Sequence, residues 1–422
     1  AGEVVEADGD LSTANLGGGT DSLTRTGSTG GSLTVTAVET VTTGTGDDQI
    51  TGDAALASVN AAAGTDSVTR NGGSGALNLV GVEAVTTGSG ADVVTADGDL
   101  STANLGGGTD SLVRSGNLGG ALDITGVESV TTGGGADAVT SDAALKNATL
   151  GAGNDTLTIN AAGVSVTATV TGGADTDSVT VNGATNATLS LNTVEAVTTG
   201  NSNDTITSDG SLGTADLGEG NNTLTVTGVA NQNIDLDVTT GNGNDTVAVT
   251  AAGTGTIELD ADLGAGNNQV TLTSAASAIT ATVTTGAGSD RVTTAGGGAS
   301  TLNVSGVETV VTSGGNDTIT ADAALSTANL AGGTDSVTRN NGTGLLTVTG
   351  VESVTSTGTG NEQLVADGDL TSANMAGGTD TVTRNNGTAA LNLTGVEHVV
   401  TTGAAGEVVE ADGDLSTANL GG

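Results

Sequence analysis

Apolar residues alternate with small polar ones along much of this chain. Val164, Val166, Ala168 and Val170 are separated by Ser165, Thr167 and Thr169, and Leu33 and Val35 interleave with Thr34 and Thr36. A period of two puts aliphatic groups on one face of a strand and Thr on the other. β-Branched Val and Thr suit a pleated surface, and no long i, i+3, i+4 pattern argues for a helix. The pattern predicts an all-β chain with no helical domain.

A turn motif, Gly-x-Gly-x-Asp-x-(Val/Leu/Ile)-Thr, punctuates the strands. It occurs at Gly151, Gly153, Asp155 and Leu157, and again at Gly241, Gly243, Asp245 and Val247. Taking its Asp or the replacing residue as marker, it falls at 3, 21, 48, 66, 92, 110, 137, 155, 177, 204, 222, 245, 268, 290, 317, 335, 362, 380 and 407. Two residues after each of these nineteen markers stands Val, Leu or Ile, as a Gly-rich turn feeding a strand requires. The steps are 18 and 27 in alternation over most of the chain, and 22 or 23 around 155–177 and 222–290. Eighteen steps span 404 residues, which is too short for propeller blades and suits the rungs of a β-solenoid. The expected fold is therefore an elongated β-solenoid, parallel β-helix or β-roll-like, with about 18 rungs of 18–27 residues. Short rungs would alternate with long ones carrying an extra loop or strand. Between Asp245 and Asn268 a rung reads as a strand near 246–250, a Gly turn at 252–255 and a second strand near 256–260.

Composition sharpens this picture. With no Phe, Tyr or Trp, the core is expected to be thin and aliphatic, filled from two facing strand rows. The 72 Gly and absence of Pro fit many tight corners and an unbroken hydrogen-bond ladder. There is no Cys for disulfides or thiolate sites. No apolar run approaches ~18 residues, so no membrane insertion is expected, and neither end reads as a secretory signal. The low-complexity look also suggests disorder, but a disordered tract has no reason to keep apolar residues at fixed positions. Residues 1–18 and 405–422 are identical. Residues 1–422 are thus expected to form one continuous array, a 404-residue block of a longer tandem polypeptide whose next block starts at 405. The expected partner is the protein itself, end to end or block to block, with a cell-surface anchor outside this segment.

The charge supplies the candidate chemistry. Forty-eight acidic residues face seven basic ones, a net charge of −41. Stacked corner carboxylates would repel by about 3 kcal/mol per neighbouring pair at an effective dielectric near 20. Seventeen of the nineteen markers are Asp or Glu, with Asn222 and Asn268 the exceptions. Hard oxygen ligands beside exposed turn carbonyls suit Ca²⁺ better than Zn²⁺ or copper. The candidate ligands for multiple Ca²⁺ ions are Asp21, Asp48, Asp66, Asp92, Asp110, Asp137, Asp155, Asp177, Asp204, Asp245, Asp290, Asp317, Asp335 and Asp380. The competing reading makes each Asp a turn cap that accepts backbone N–H groups. A second acidic set, Asp53, Asp97, Asp142, Asp209, Asp322 and Asp367, reads as solvated turns or a second ion row. Arg25, Arg70, Arg114, Arg339 and Arg384 each precede the Glu of a Val-Glu pair (Glu39, Glu83, Glu128, Glu352, Glu397) by 13 or 14 residues, which suggests surface ion pairs across rungs. The single His, His398, reads as a surface residue.

At these corners the chain resembles the repeats-in-toxin family, whose nonapeptide Gly-Gly-x-Gly-x-Asp-x-apolar-x winds into a calcium-bound β-roll. The runs from Leu150 to Thr158 and from Thr240 to Ala248 match all but the first Gly. The motif recurs here about once per rung instead of every nine residues, yet the 18 and 27 steps are multiples of nine. The resemblance implies calcium held by turn carbonyls and the Asp carboxylate, in a secreted toxin, protease, adhesin or surface-layer protein.

The resulting expectation is a structural, extracellular, cell-surface protein, calcium-stabilised, forming a filament, surface layer or adhesin stalk. It is not expected to be an enzyme. The alternatives are an ice-binding solenoid with Thr arrays or, less in keeping with the residues, a polysaccharide-processing β-helix enzyme. Such an enzyme needs aromatic platforms and clustered basic groups that the chain lacks. So negative a surface also argues against nucleic acid and anionic lipid as partners.

Overall fold

The computed structural model describes residues 2–403 and 407–421. The chain divides into two compact units, residues 1–200 and 201–422, and each is built the same way. It is an all-β parallel solenoid: 45 strands of three to nine residues and, among the described residues, no helix. Successive strands fall alternately into two rows. Within a row, each strand pairs in parallel with the strand one turn earlier and one turn later. Thus Ser22–Arg25 pairs with Val4–Ala7 and Thr40–Thr42 in one row, and Gly31–Thr36 pairs with Thr13–Asn15 and Asp48–Gly52 in the other.

The period-two pattern decides which side faces in. In Gly31–Thr36, Leu33 and Val35 are buried while Ser32, Thr34 and Thr36 are exposed. Val166, Ala168 and Val170 are buried in Val166–Ala174, with Thr167 and Thr169 outward. In-register stacking then makes columns such as Ile50, Val68, Val85 and Ala103, one residue per turn. The core is aliphatic and thin, as the lack of aromatic residues requires. The rung read between Asp245 and Asn268 is present as Thr246–Ala252 and Ile257–Asp262.

The count of turns differs from the expected 18. Two strands per turn make about 23 turns from 45 strands. The reason lies in the longer marker steps. An 18-residue step is one full turn, since Gln49 pairs with Ser67. The 27-residue step from Asp21 to Asp48 is a turn and a half, because Asp21 precedes Ser22–Arg25 in one row and Asp48 opens Asp48–Gly52 in the other. What was expected as a long rung with an extra strand is one turn plus half of the next. The 45-residue repeat is five strands, or 2.5 turns, so the acidic corner changes edges with each repeat. Steps of 22 or 23 are single turns with longer corners, as Thr246 pairing with Gln269 shows.

Turns stack backbone on backbone. Gly151 has φ +95°, and a Cβ there would lie 1.7 Å from the Gly133 carbonyl oxygen one turn below. Gly173, at φ +127°, stands in the same relation to Gly151 O at 1.6 Å. Neither position accommodates a side chain.

Candidate metal corners

All fourteen candidate aspartates are buried, between 0 and 3% exposed. The coil gathers them into short rows along its edges. In the first unit these are Asp21 with Glu3, Asp48 with Asp66, Asp92 with Asp110, and Asp137 with Asp155 and Asp177. In the second they are Asp204, Asp245 and Asp290 interleaved with Asn222 and Asn268, then Asp317 with Asp335, and Asp380 with Glu362. Within a row, each later carboxylate accepts the backbone N–H of the member one turn earlier: Asp48 N–H reaches Asp66 Oδ1 at 2.7 Å, Asp137 reaches Asp155 at 2.7 Å, and Asp155 reaches Asp177 at 2.8 Å, whereas Asp92 and Asp137, first in their rows, take an Arg guanidinium on Oδ1. The turn-cap reading is therefore right for one oxygen of each later carboxylate in a row.

Most rows end on a residue that the motif search passed over. The Glu of Val-Glu is the last member, accepting from Asp21 through Glu39, from Asp66 through Glu83, from Asp110 through Glu128, and from Asp177 through Glu195, at 2.6–2.7 Å. Glu308, Glu352 and Glu397 do the same in the second unit. These corners lack the Gly-x-Gly lead. The apolar residue two places on was nevertheless there to find them, as Val41 after Glu39 and Val85 after Glu83.

The second oxygen carries the chemistry. Oδ2 of Asp21, Asp66, Asp92, Asp110, Asp137, Asp155, Asp177, Asp290, Asp317 and Asp335 is buried with no hydrogen-bond partner. The two Asn markers show what surrounds it. Asn222 Nδ2 donates to Gly218 O at 3.1 Å and Gly220 O at 3.2 Å, and Asn268 Nδ2 donates to Gly264 O at 3.2 Å. The slot is walled by turn carbonyls, and a carboxylate there turns an acceptor toward acceptors, which costs free energy unless a cation or a proton intervenes. Asp245 is relieved differently, by Thr240 Oγ1 donating to its Oδ2 at 2.8 Å.

Burial sets the protonation tendency. It is the largest influence on Asp66, Asp110, Asp155, Asp177, Asp245, Asp335 and Asp380, and raises all seven above the ordinary carboxylate value. Asp155 is pushed up to about 6: burial dominates, the Asp137 N–H opposes it, and the neighbouring Asp177 and Asp137 charges add to it.

The arginines are not where the spacing put them. Arg25, Arg70, Arg114, Arg339 and Arg384 pair with Asp48, Asp92, Asp137, Glu362 and Glu407, not with the Val-Glu glutamates. The arginine side chains are at most 5% exposed, so these are buried pairs and not surface ones. Arg25, Arg70, Arg114 and Arg384 each end a strand, and Arg339 stands one residue before the end of its own. Each guanidinium also donates to carbonyls, for Arg70 those of Leu56, Gly75 and Ala76 at 3.0–3.4 Å.

The second acidic set consists of turn caps. Asp97 accepts Gly81 N–H from one turn earlier and Asp99 N–H within its own turn; Asp53, Asp142, Asp322 and Asp367 also accept across turns, and Asp209 accepts Ser211 N–H. At Asp322 burial pushes the carboxyl up, but bonds from Ala324, Gly306 and Ser305 and the field of Arg339 outweigh it and hold it low. His398 is half-exposed, with Nδ1 2.6 Å from Thr417 Oγ1.

Among the described residues, no three Asp, Glu, His or Cys converge as a metal cluster. An ion at a corner would thus have one or two carboxylate oxygens and several turn carbonyls, an all-oxygen set of the kind Ca²⁺ accepts. The orphaned buried oxygens fit that demand.

Two hydrogen-bonded strand rows around an aliphatic core, with acidic rows at the corners, define a parallel β-solenoid repeat protein. No family model, curated protein or solved structure matches the chain.

Proposed function

We propose that this chain is a structural, non-enzymatic shaft of the extracellular surface, stabilised by calcium at its corners in the manner of repeats-in-toxin β-rolls. It would serve in a surface filament, a surface layer or an adhesin stalk, with further copies of itself as partner. The observation that carries this reading is the row of buried carboxylates whose second oxygen faces turn carbonyls without a donor. Uncompensated, each row would destabilise the fold that makes it; with an ion at each corner it becomes a set of cross-links between successive turns. Chelation is expected to abolish much of the β signal in circular dichroism and lower the melting temperature, and millimolar calcium to restore both. An identical spectrum and melting curve in chelator and in calcium would eliminate the metal reading.

One feature favours a second reading, ice binding. Thr13, Thr34, Thr51, Thr69 and Thr86 form an outward column of five in-register threonines. The column continues through Asn104 to Thr125, so it is not uniform. Thermal hysteresis in a freezing assay tests it directly; none is expected.

A further inference from the structure

Five of the seven basic residues of this chain occupy one recurring position. Each stands 22 or 23 residues before the first carboxylate of a new row, at the point where the acidic corner changes edges. The residue below that first carboxylate is not another marker. Gly31 lies under Asp48, Gly75 under Asp92, Gly120 under Asp137 and Gly344 under Glu362. The first three of these glycines turn their carbonyl to the guanidinium, and Arg339 reaches the carbonyl of Thr343 instead.

The guanidinium therefore brings a full positive charge to the corner, against one oxygen of a buried carboxylate and two or three backbone carbonyl oxygens, while the second oxygen of Asp92, Asp137 and Glu407 keeps no hydrogen-bond partner. We propose that these arginines are built-in cations that replace a metal ion at the first corner of each of these rows, dividing the coil into metal-independent clamps and metal-requiring corners between them. This rests on the calcium reading above for the corners between clamps, but the clamp itself is a property of Arg and carboxylate alone. The clamps are Asp48, Asp92, Asp137, Glu362 and Glu407. Asn222, Asn268 and Asp245 belong with them, since side-chain donors satisfy those corners without a metal. The metal-requiring corners are those with an orphaned oxygen and no Arg, such as Asp66, Asp110, Asp155, Asp177, Asp290 and Asp335.

The row that Asp317 opens has no clamp and shows the alternative. Beneath Asp317 lies Ser300, whose N–H donates to Asp317 Oδ1 at 2.6 Å, and the Arg position is taken by Thr294, 3.0 Å from Ser300 Oγ. Asp317 Oδ2 is left unpartnered there. Two hydroxyls stand in for a cation and do not supply its charge.

The test is the number of calcium ions held per folded chain, measured by equilibrium dialysis and elemental analysis for wild type, Arg70→Met and Arg70→Met/Asp92→Asn. Unfolding is followed by circular dichroism. Arg70→Met is expected to hold one more ion than wild type, to lose more β signal than wild type in chelator, and to regain it in calcium. The double variant is expected to hold the wild-type number and to fold better than Arg70→Met in chelator, its new amide donating to turn carbonyls as Asn222 does. An unchanged ion count in folded Arg70→Met, or failure of calcium to restore its fold, overturns the proposal. A wild type that holds no calcium beside an Arg70→Met that holds one would sink the calcium reading and leave the clamp standing. A calcium-loaded wild type with no gain in the variant does the reverse.

Discussion

At the Asp155 corner the second carboxylate oxygen is buried and lacks a hydrogen-bond donor. For Asp155 the folded value is raised from 3.8 to about 6, chiefly by burial. A carboxyl with a raised folded value binds more protons when folded. Its contribution is therefore fully present below pH 3.8 and is lost as pH rises through about 6. In chelator, melting temperature is expected to fall between those limits, and calcium to remove that fall. Asp155→Asn supplies an N–H toward the turn carbonyls and is expected to stabilise the metal-free chain at pH 7 by about 1–3 kcal/mol. Melts of this variant across the pH range check the assignment, and a wild-type pH slope in the variant would refute it. The fourteen aspartates were legible because each is followed two places on by a buried aliphatic. The partners of the arginines were not. Arg25 was matched to Glu39 by distance along the chain, whereas its partner Asp48 is set by a half-turn of the coil.

At the scale of strands and turns, the period-two pattern sufficed for strand identity, inward face and the two halves of a rung. It did not suffice for the turn count. A 27-residue step is equally compatible with one long rung and with three half-turns of nine. Only the register shows that Asp21 and Asp48 serve opposite rows. The half-turn of nine also explains why an acidic row is short: after 2.5 turns the repeat arrives on the other edge. Such stacking depends on glycine at chosen corners. Gly151→Ala combines a positive φ with a methyl 1.7 Å from Gly133 O, and is expected to cost about 3 kcal/mol or more. Gly107→Ala, with nothing within 4 Å, is the matched control and is expected to cost less than 1 kcal/mol by the usual behaviour of uncrowded surface sites. Equal melting temperatures for the two variants would show that the turns are looser than this stacking implies.

For the whole molecule, the governing quantity is a net charge of −41 carried on a repeating scaffold. Repulsion among so many carboxylates opposes both folding and association, and a divalent ion at each of the proposed corners would offset two charges there. The proposed filament would consist of concatenated 404-residue blocks or of copies stacked end to end, a reading in keeping with the repeat of residues 1–18 at 405–422. In either arrangement the unpaired N–H and C=O groups of one strand edge are satisfied by the next turn. Native material with calcium is expected to appear in electron micrographs as thin unbranched fibres, and aligned fibres to give a reflection near ~4.8 Å along the axis, the spacing of stacked parallel strands. In chelator the same material should lose both. Fibres that survive chelation would separate assembly from the metal corners. A chain that stays monomeric by light scattering at high concentration in calcium, encoded as a single block, would remove the filament and move an isolated adhesin or ice-binding module ahead of it.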